Sequence, residues 1–326
     1  MISLPEFIGR LRAIWRPELY HGHGKTRNFF EGWYYKLVDA SACFKMAVIP
    51  GIFLASDEDE SHSFIQVLNG STGQSEYHTF AVDDFSADTG SFLIKVGESE
   101  FSLKSMRLRL DSDLVLSADV KFKGLTSWPN SIFSPGIMGP FGLIPRMQCY
   151  HGVLSMEHDI CGQIQKPERE IDLDGGRGYM EKDWGRGFPD DWIWLQCNHF
   201  QSTGTSLMIS MASVPWGVTR FRGFLIGFLH DGRLYTFTTY NRSKTKEVTI
   251  EEDWLKVVVC KGSFRLEVSA ERGVRGVLHS PDVDYMQERV LESMSGSVCV
   301  KLTKNADVIF EGDGRSAAIE VMGDFS

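Results

Sequence analysis

The sequence predicts an all-β chain folded as two antiparallel barrels. Three observations carry this reading. Short runs rich in aromatic and β-branched residues recur along almost the whole chain. Turn signals separate them at close intervals. Helical periodicity stands out in one segment only, near the start. One antiparallel barrel of about eight strands cannot absorb so many runs, so two are expected.

The helical segment comes first. Ser3 and Glu6 are spaced as a capping box. Leu4, Phe7, Ile8, Leu11, Ile14 and Trp15 then recur at helical spacing, with Arg10, Arg12 and Arg16 interleaved. A short helix packed on the body of the protein satisfies this pattern. The sharper reading is a peripheral membrane contact through residues 2–16, because basic amphipathic helices favour anionic lipid.

Strands are expected next at Trp33–Val38, Phe44–Ile49, Phe64–Leu68, His78–Val82, Ser91–Val96 and Leu114–Phe122. SDEDES, NGSTG, ADTG and DSD supply the turns between them. In the second half the runs are Trp192–Asn198, Ser206–Val214, Phe221–Leu229 and Arg233–Thr239. Trp254–Cys260, Phe264–Ala270, Val298–Leu302, Asp307–Glu311 and Ala317–Met322 complete the series. HDGR at His230 predicts a hairpin with Asp-Gly as its turn pair. The expected domains are residues 1–188 and 189–326, with a boundary nearer Leu125 as the alternative.

Residues 124–148, GLTSWPNSIFSPGIMGPFGLIPRMQ, break this rhythm. Four prolines and four glycines disfavour a strand. The segment is nevertheless apolar, with Trp128, Ile132, Phe133, Ile137 and Met138 among its residues, so disorder is not expected. It reads as a long loop that walls or covers an apolar cavity, with Trp128 and Met138 toward a ligand. The plainer reading is a connector buried against the first barrel.

Composition sets the outer limits. The 326 residues are 42% hydrophobic and 24% charged, ordinary for a globular protein. A net charge of -9 argues against nucleic acid as a partner. The six cysteines form no CxxC pair, which points to a reducing compartment rather than a disulfide framework. With no secretory signal and no apolar run of membrane-spanning length, a cytoplasmic protein is expected. His21 and His23 form an HxH pair, but no second ligand cluster has metal-site spacing, and no metal is expected. Phosphate loops and nucleophile elbows are missing, and no cofactor is expected.

The chemistry concentrates in GYMEKDWGRGFPDDWIWLQCNHF, Gly178–Phe200. If Gly178–Trp184 is extended, Tyr179, Glu181 and Asp183 share one face and Met180, Lys182 and Trp184 the other. Trp192, Trp194 and Gln196 share a face of the next strand, with Ile193, Leu195 and Cys197 as its apolar packing face. Glu31, Trp33, Tyr35 and Leu37 alternate with Gly32, Tyr34, Lys36 and Val38 in the same manner. Two adjacent carboxyls in an apolar site cannot both ionise cheaply, so one can act as a general acid. Aromatic faces stabilise positive charge by about 0.5–2 kcal/mol each. Together these suit protonation of an alkene, or the holding of a polar head group at the mouth of an apolar barrel. Salt bridges to Arg177, Lys182 and Arg186 are the purely structural alternative.

Four segments resemble the tocopherol cyclase family, in the family's order. They are NFFEGWYYK (Asn28–Lys36), SPGIMGPFGLIPRMQCYHGVLSM (Ser134–Met156), the Gly178–Phe200 stretch and EGDGRSAAIEV (Glu311–Val321). The resemblance implies two lipocalin-like barrels, more distantly similar to carotenoid hydratases. It implies a cofactor-free ring closure, in which a prenylated hydroquinone is protonated on its side chain and the phenolic oxygen captures the cation as a chromanol. By match to the hydratase relatives, Asp183 is the first choice of acid and Glu181 the second. Tyr179, Trp192 and Trp194 would stabilise the cation or pack the quinol, with Gln196 beside them. Glu31, Trp33, Tyr150 and His151 would contact the head group. The chain departs from plant members in lacking a plastid-targeting region, so another prenyl quinol or a terpenoid is equally open as substrate. The alternatives are a non-catalytic prenyl-lipid carrier and an alkene hydratase.

Overall fold

The computed structural model describes residue 13 and residues 15–216, 219–282 and 284–324. The helix expected over Ser3–Trp15 lies outside these, apart from Ala13 and Trp15. Among the described residues the fold is all-β, with two antiparallel sheets of 12 and 11 strands in lipocalin-like units. No helix among them is long and apolar enough to cross a membrane.

The first sheet runs from Phe29 to Gly185. Phe29–Val38 pairs with Lys45–Leu54 on one side and with Gly176–Gly185 on the other. Gly176–Gly185 pairs in turn with Cys149–Gln165, which pairs with Ser117–Lys123. Strands from the length of the sheet feed one core, including Trp33, Tyr35, Met46, Val67, Val96, Phe101, Val120 and Met180. The sheet therefore wraps around its apolar face. Burying each such large side chain contributes about 1.5–3 kcal/mol.

The second sheet runs from Trp192 to Met322 and encloses its own core, with Ile193, Leu195, Cys197, Phe228, Val268 and Leu302. The His230–Arg233 turn has the expected form. Asp231 and Gly232 both take positive φ, 49° and 68°, as a type I′ hairpin requires.

Several strands escaped the sequence reading. Cys149–Gln165 is 17 residues long but its alternation slips twice, at Val153/Ser155 and Ser155/His158, so no single period runs through it. Lys244–Ile250 is polar and largely solvent-facing. Asp307–Glu311 and Ala317–Met322 are parts of one continuous strand, Asp307–Met322. Within residues 124–148 the regular structure is a short 3-10 turn, Gly139–Leu143, and an isolated bridge between Ser131 and Ser134.

Two compact units divide at Phe188/Pro189, with two exchanges. Val277–Arg289 belongs to the first unit and Gly70–Gly73 to the second. The Val277–Arg289 segment is tied down within the first unit. Gln66 Nε2 donates to the His279 carbonyl at 2.9 Å, and Gln66 Oε1 accepts from the His279 amide at 2.7 Å. Ser75 Oγ donates to the Val277 carbonyl at 2.6 Å, and the Phe188 amide donates to the Pro281 carbonyl at 3.0 Å. Tyr77 stacks on the His279 ring at 4.2 Å. Met286 packs against the small cluster of Phe30, Phe53, Ala55 and Phe64.

Candidate active site

The site grows from the register of three neighbouring strands. Residues directly opposite in an antiparallel pair present their side chains to the same face. Glu31 faces Trp184, Trp33 faces Lys182 and Tyr35 faces Met180, all on the core side. Gly32 faces Asp183, Tyr34 faces Glu181 and Lys36 faces Tyr179, on the outer side. From the other neighbour, His151 faces Asp183 and Val153 faces Glu181. The same three strands thus build two separate polar clusters, one on each face.

On the outer face the Tyr179 hydroxyl donates a short hydrogen bond to Glu181 Oε2. His151 Nε2 lies 3.5 Å from the same oxygen, and His151 Nδ1 lies 2.9 Å from Asp183 Oδ1. The imidazole therefore stands between the two carboxyls, hydrogen-bonded to Asp183. Cys149 Sγ donates to Asp183 Oδ1 at 3.9 Å. Glu181 is buried, whereas the Asp183 side chain keeps 25% of its surface exposed. Burial, and then the negative charge of Glu181, hold the Tyr179 phenol well above its ordinary range. Burial, and then Asp183, do the same for the Cys149 thiol. Both remain protonated donors to the carboxyls.

Two protons among His151, Glu181 and Asp183 leave a net charge of -1. The second can sit on His151 Nδ1, as imidazolium, or on Asp183, with His151 neutral and its Nε2–H toward Glu181. The 2.9 Å contact connects these two states. The buried Glu181 carboxyl accepts from Tyr179, and the more exposed Asp183 carboxyl shares a hydrogen bond with His151.

On the core face Lys182 and Glu31 are fully buried and paired through a short Nζ–Oε1 contact. Lys182 Nζ also donates to the Leu19 carbonyl at 2.6 Å and to His21 Nδ1 at 3.0 Å. Its ammonium lies 4.9 Å from the Trp33 ring and 4.8 Å from the Trp184 ring. His21 stacks on Trp184 at 4.1 Å, and Tyr150 stacks on Trp184 at 5.4 Å. Burial raises the Glu31 carboxyl, but Lys182 and His21 more than offset this and hold it below its ordinary value. Burial pulls the Lys182 ammonium down against the opposing pull of Glu31.

Of the residues singled out in the sequence, Tyr179, Glu181, Asp183 and His151 meet on the outer face. Glu31 and Trp33 do not join them. They lie on the core side, fully buried, with Glu31 committed to Lys182. The expectation of acids beside indoles changes accordingly: Trp33 and Trp184 line the opposite face, and the aromatics on the acid face include Phe30, Tyr34, Phe53 and Phe64 beside Tyr179 itself. Tyr150 turns its ring to Trp184 and donates its hydroxyl to the Ile144 carbonyl at 2.6 Å, anchoring the end of the apolar loop. Trp128 and Met138 are buried within that loop. Trp192, Trp194 and Gln196 are buried on the second unit's strand, away from its Ile193–Leu195–Cys197 core face. The Trp192 indole donates to Glu320 at 2.7 Å.

The sequence reading missed the buried Glu31–Lys182–His21 cluster, although its signal was present. Glu31 alternates with Trp33 and Tyr35, and Lys182 with Met180 and Trp184, so each is a lone charge on an apolar face. Such charges are kept only when paired. For a metal, His151, Glu181 and Asp183 bring one ligand atom each within 4.8 Å of one another.

Two buried histidines make the fold pH-sensitive. Burial, and then Lys182, lower the His21 pKa from 6.5 to about 4, and burial lowers that of His158 to about 3. Between those values and 6.5 the unfolded chain binds protons that the folded chain refuses, so stability falls as pH falls. Each group contributes up to about 1.4 kcal/mol per pH unit across that window. Denaturant melts should be level above pH 7 and lose stability from pH 6.5 to 5, with His158→Leu shallower than wild type. A flat wild-type profile would refute this.

Similarities to known proteins follow the same outline. A family described as tocopherol cyclase-like matches residues 146–323. The chain is 27% identical over 97 residues to a probable chloroplastic tocopherol cyclase of Oryza sativa subsp. japonica, covering 28% of this chain and 21% of that protein. It is 22% identical over 174 residues to the chloroplastic tocopherol cyclase of Zea mays, covering 50% of this chain and 36% of that protein. The chain thus spans well under half the length of these relatives. Among solved structures, CghA with Sch210972 shares the fold at a TM-score of 0.58 and 10% identity, covering 90% of this chain and 88% of that one.

Proposed function

Because the chain belongs to the tocopherol cyclase-like family, we propose that it closes a ring on a prenylated hydroquinone, or a related prenyl lipid, with Asp183 as the acid. The observation that carries this reading is the 2.9 Å contact between His151 Nδ1 and Asp183. In its Asp183-protonated state the cluster holds a proton on its more exposed carboxyl, next to an apolar aromatic surface.

The scheme balances without a cofactor. Asp183 gives its proton to the less substituted carbon of the side-chain alkene, leaving a tertiary cation. The cluster then carries two carboxylates with neutral His151, a charge that favours the neighbouring cation. The phenolic oxygen bonds to the cationic carbon, and its proton returns to Asp183. Substrate and product are isomers. Tyr179 steadies Glu181, and Glu181 steadies the His151 tautomer that leaves the proton on Asp183.

Gly32 supplies the room. It is the one residue of its strand that is not buried, and its cross-strand partner is Asp183. A Cβ there would meet nothing closer than the Phe64 ring at 3.8 Å and Ile49 at 3.9 Å. Neither packing nor a positive φ demands glycine at this position. The alkene is assigned to this hollow. Gly32→Ala should keep the melting temperature and lower kcat/KM by about tenfold or more, as for one extra carbon in a fitted pocket. Unchanged kinetics would remove the alkene from this place.

The purified protein, incubated with a panel of prenylated hydroquinones in the presence of EDTA, should yield chromanol. Binding without conversion would favour a lipid carrier instead. A tertiary alcohol would mean that water captures the cation, as in a hydratase. Activity lost to EDTA and restored by a divalent metal would replace the proton donor with a cation at His151, Glu181 and Asp183. The cytoplasm, with transient contact to a membrane, is the proposed location.

A further inference from the structure

We propose that the Ile132–Phe133 tip of the apolar loop is a wedge that inserts into a lipid surface. Ser131 and Ser134 exchange both backbone hydrogen bonds, at 3.1 and 3.2 Å, so the two residues between them form the turn of a minimal hairpin. Such turns ordinarily hold Asn, Asp or Gly. Here they hold isoleucine and phenylalanine, exposed to 73% and 81%. Among the described residues no other large hydrophobic side chains are exposed to this degree. A turn needs neither residue for its own stability, and water disfavours both.

The surroundings fit a bilayer interface. The Trp15 indole N–H donates to the Ile132 carbonyl at 3.0 Å, and Asn130 donates a short hydrogen bond back to the Trp15 carbonyl. Trp15 is itself partly exposed, so an indole flanks the tip, as at membrane–water boundaries. Leu143, in the same loop, is also exposed. Charge points the same way. In a chain of net charge -9, residues 124–148 contain no Asp or Glu and one Arg, Arg146. An anionic lipid surface would therefore meet no negative charge from this loop. Pro129 and Pro135 bracket the hairpin and restrict its backbone, which lowers the entropy lost on insertion. The occupant is a lipid surface rather than a protein partner, because a two-residue protrusion lacks the area of a stable protein interface.

Co-sedimentation tests this with vesicles of phosphatidylcholine alone and of phosphatidylcholine mixed with phosphatidylglycerol. Wild type should sediment with the mixed vesicles. The Ile132→Ser/Phe133→Ser double variant should bind them at least about tenfold more weakly, with an unchanged melting temperature because both side chains face solvent. Hydrogen exchange of wild type with and without vesicles should show the added protection centred on residues 131–134. Equal binding by the double variant, protection elsewhere, or no sedimentation of wild type would each overturn the proposal. None of these readouts depends on the cyclisation chemistry, so the two readings fail separately.

Discussion

Asp183→Asn should lower turnover of a prenylated hydroquinone by about 10²–10⁴-fold, the range lost when a positioned proton donor is removed. Asparagine keeps the shape and can still hydrogen-bond His151, but it has no proton to give. Substrate affinity should stay close to wild type, because the apolar surface of Phe30, Phe64 and Ile49 is untouched. The split between kcat and KM is the diagnostic measurement, since an interaction made only in the transition state leaves binding alone. Glu181→Gln is the comparison. It leaves Asp183 in place and only weakens the control of the His151 tautomer, so it should lose less. Asp183→Asn with near wild-type turnover would move the acid elsewhere.

Lys182→Met should cost about 3–5 kcal/mol of stability, the largest effect expected of any single substitution here. It removes the ammonium and leaves the Glu31 carboxylate fully buried beside a histidine that burial keeps neutral. The double variant Lys182→Met/Glu31→Leu should recover most of that loss, because an apolar pair of similar volume carries no desolvation penalty. Chemical denaturation of the three proteins at pH 7 measures the cycle. A Lys182→Met protein as stable as wild type would show that Glu31 is protonated in the fold.

The class of fold was legible because strands alternate and turns announce themselves. Trp192–Asn198 was readable for this reason: Ile193, Leu195 and Cys197 go to a core, and the residues between them do not. The long Cys149–Gln165 strand was not, because its two bulges break the period that a linear reading depends on. In the site, alternation alone put Tyr179, Glu181 and Asp183 on one face. It could not show that His151 would stand between the carboxyls, since that pairing joins residues 32 apart and depends on register. The same limit hid the Glu31–Lys182 pair. In sequence, Glu31 reads as a head-group contact and Lys182 as a salt-bridge partner of its neighbouring acids, each on its own strand. Local pattern tells which face a side chain takes, and only strand pairing tells what it meets there.

The stitching of Val277–Arg289 into the first unit bears on how the chain is made. Residues 1–188 leave the ribosome long before this segment exists. Until then the Phe188 amide lacks its Pro281 acceptor, and the face carrying Phe30, Phe53 and Phe64 lacks Met286. A nascent first unit would therefore keep this apolar patch uncovered until Met286 is added. The strand pair that carries His151 and Asp183 would reach its final surroundings only once Val277–Arg289 has been made.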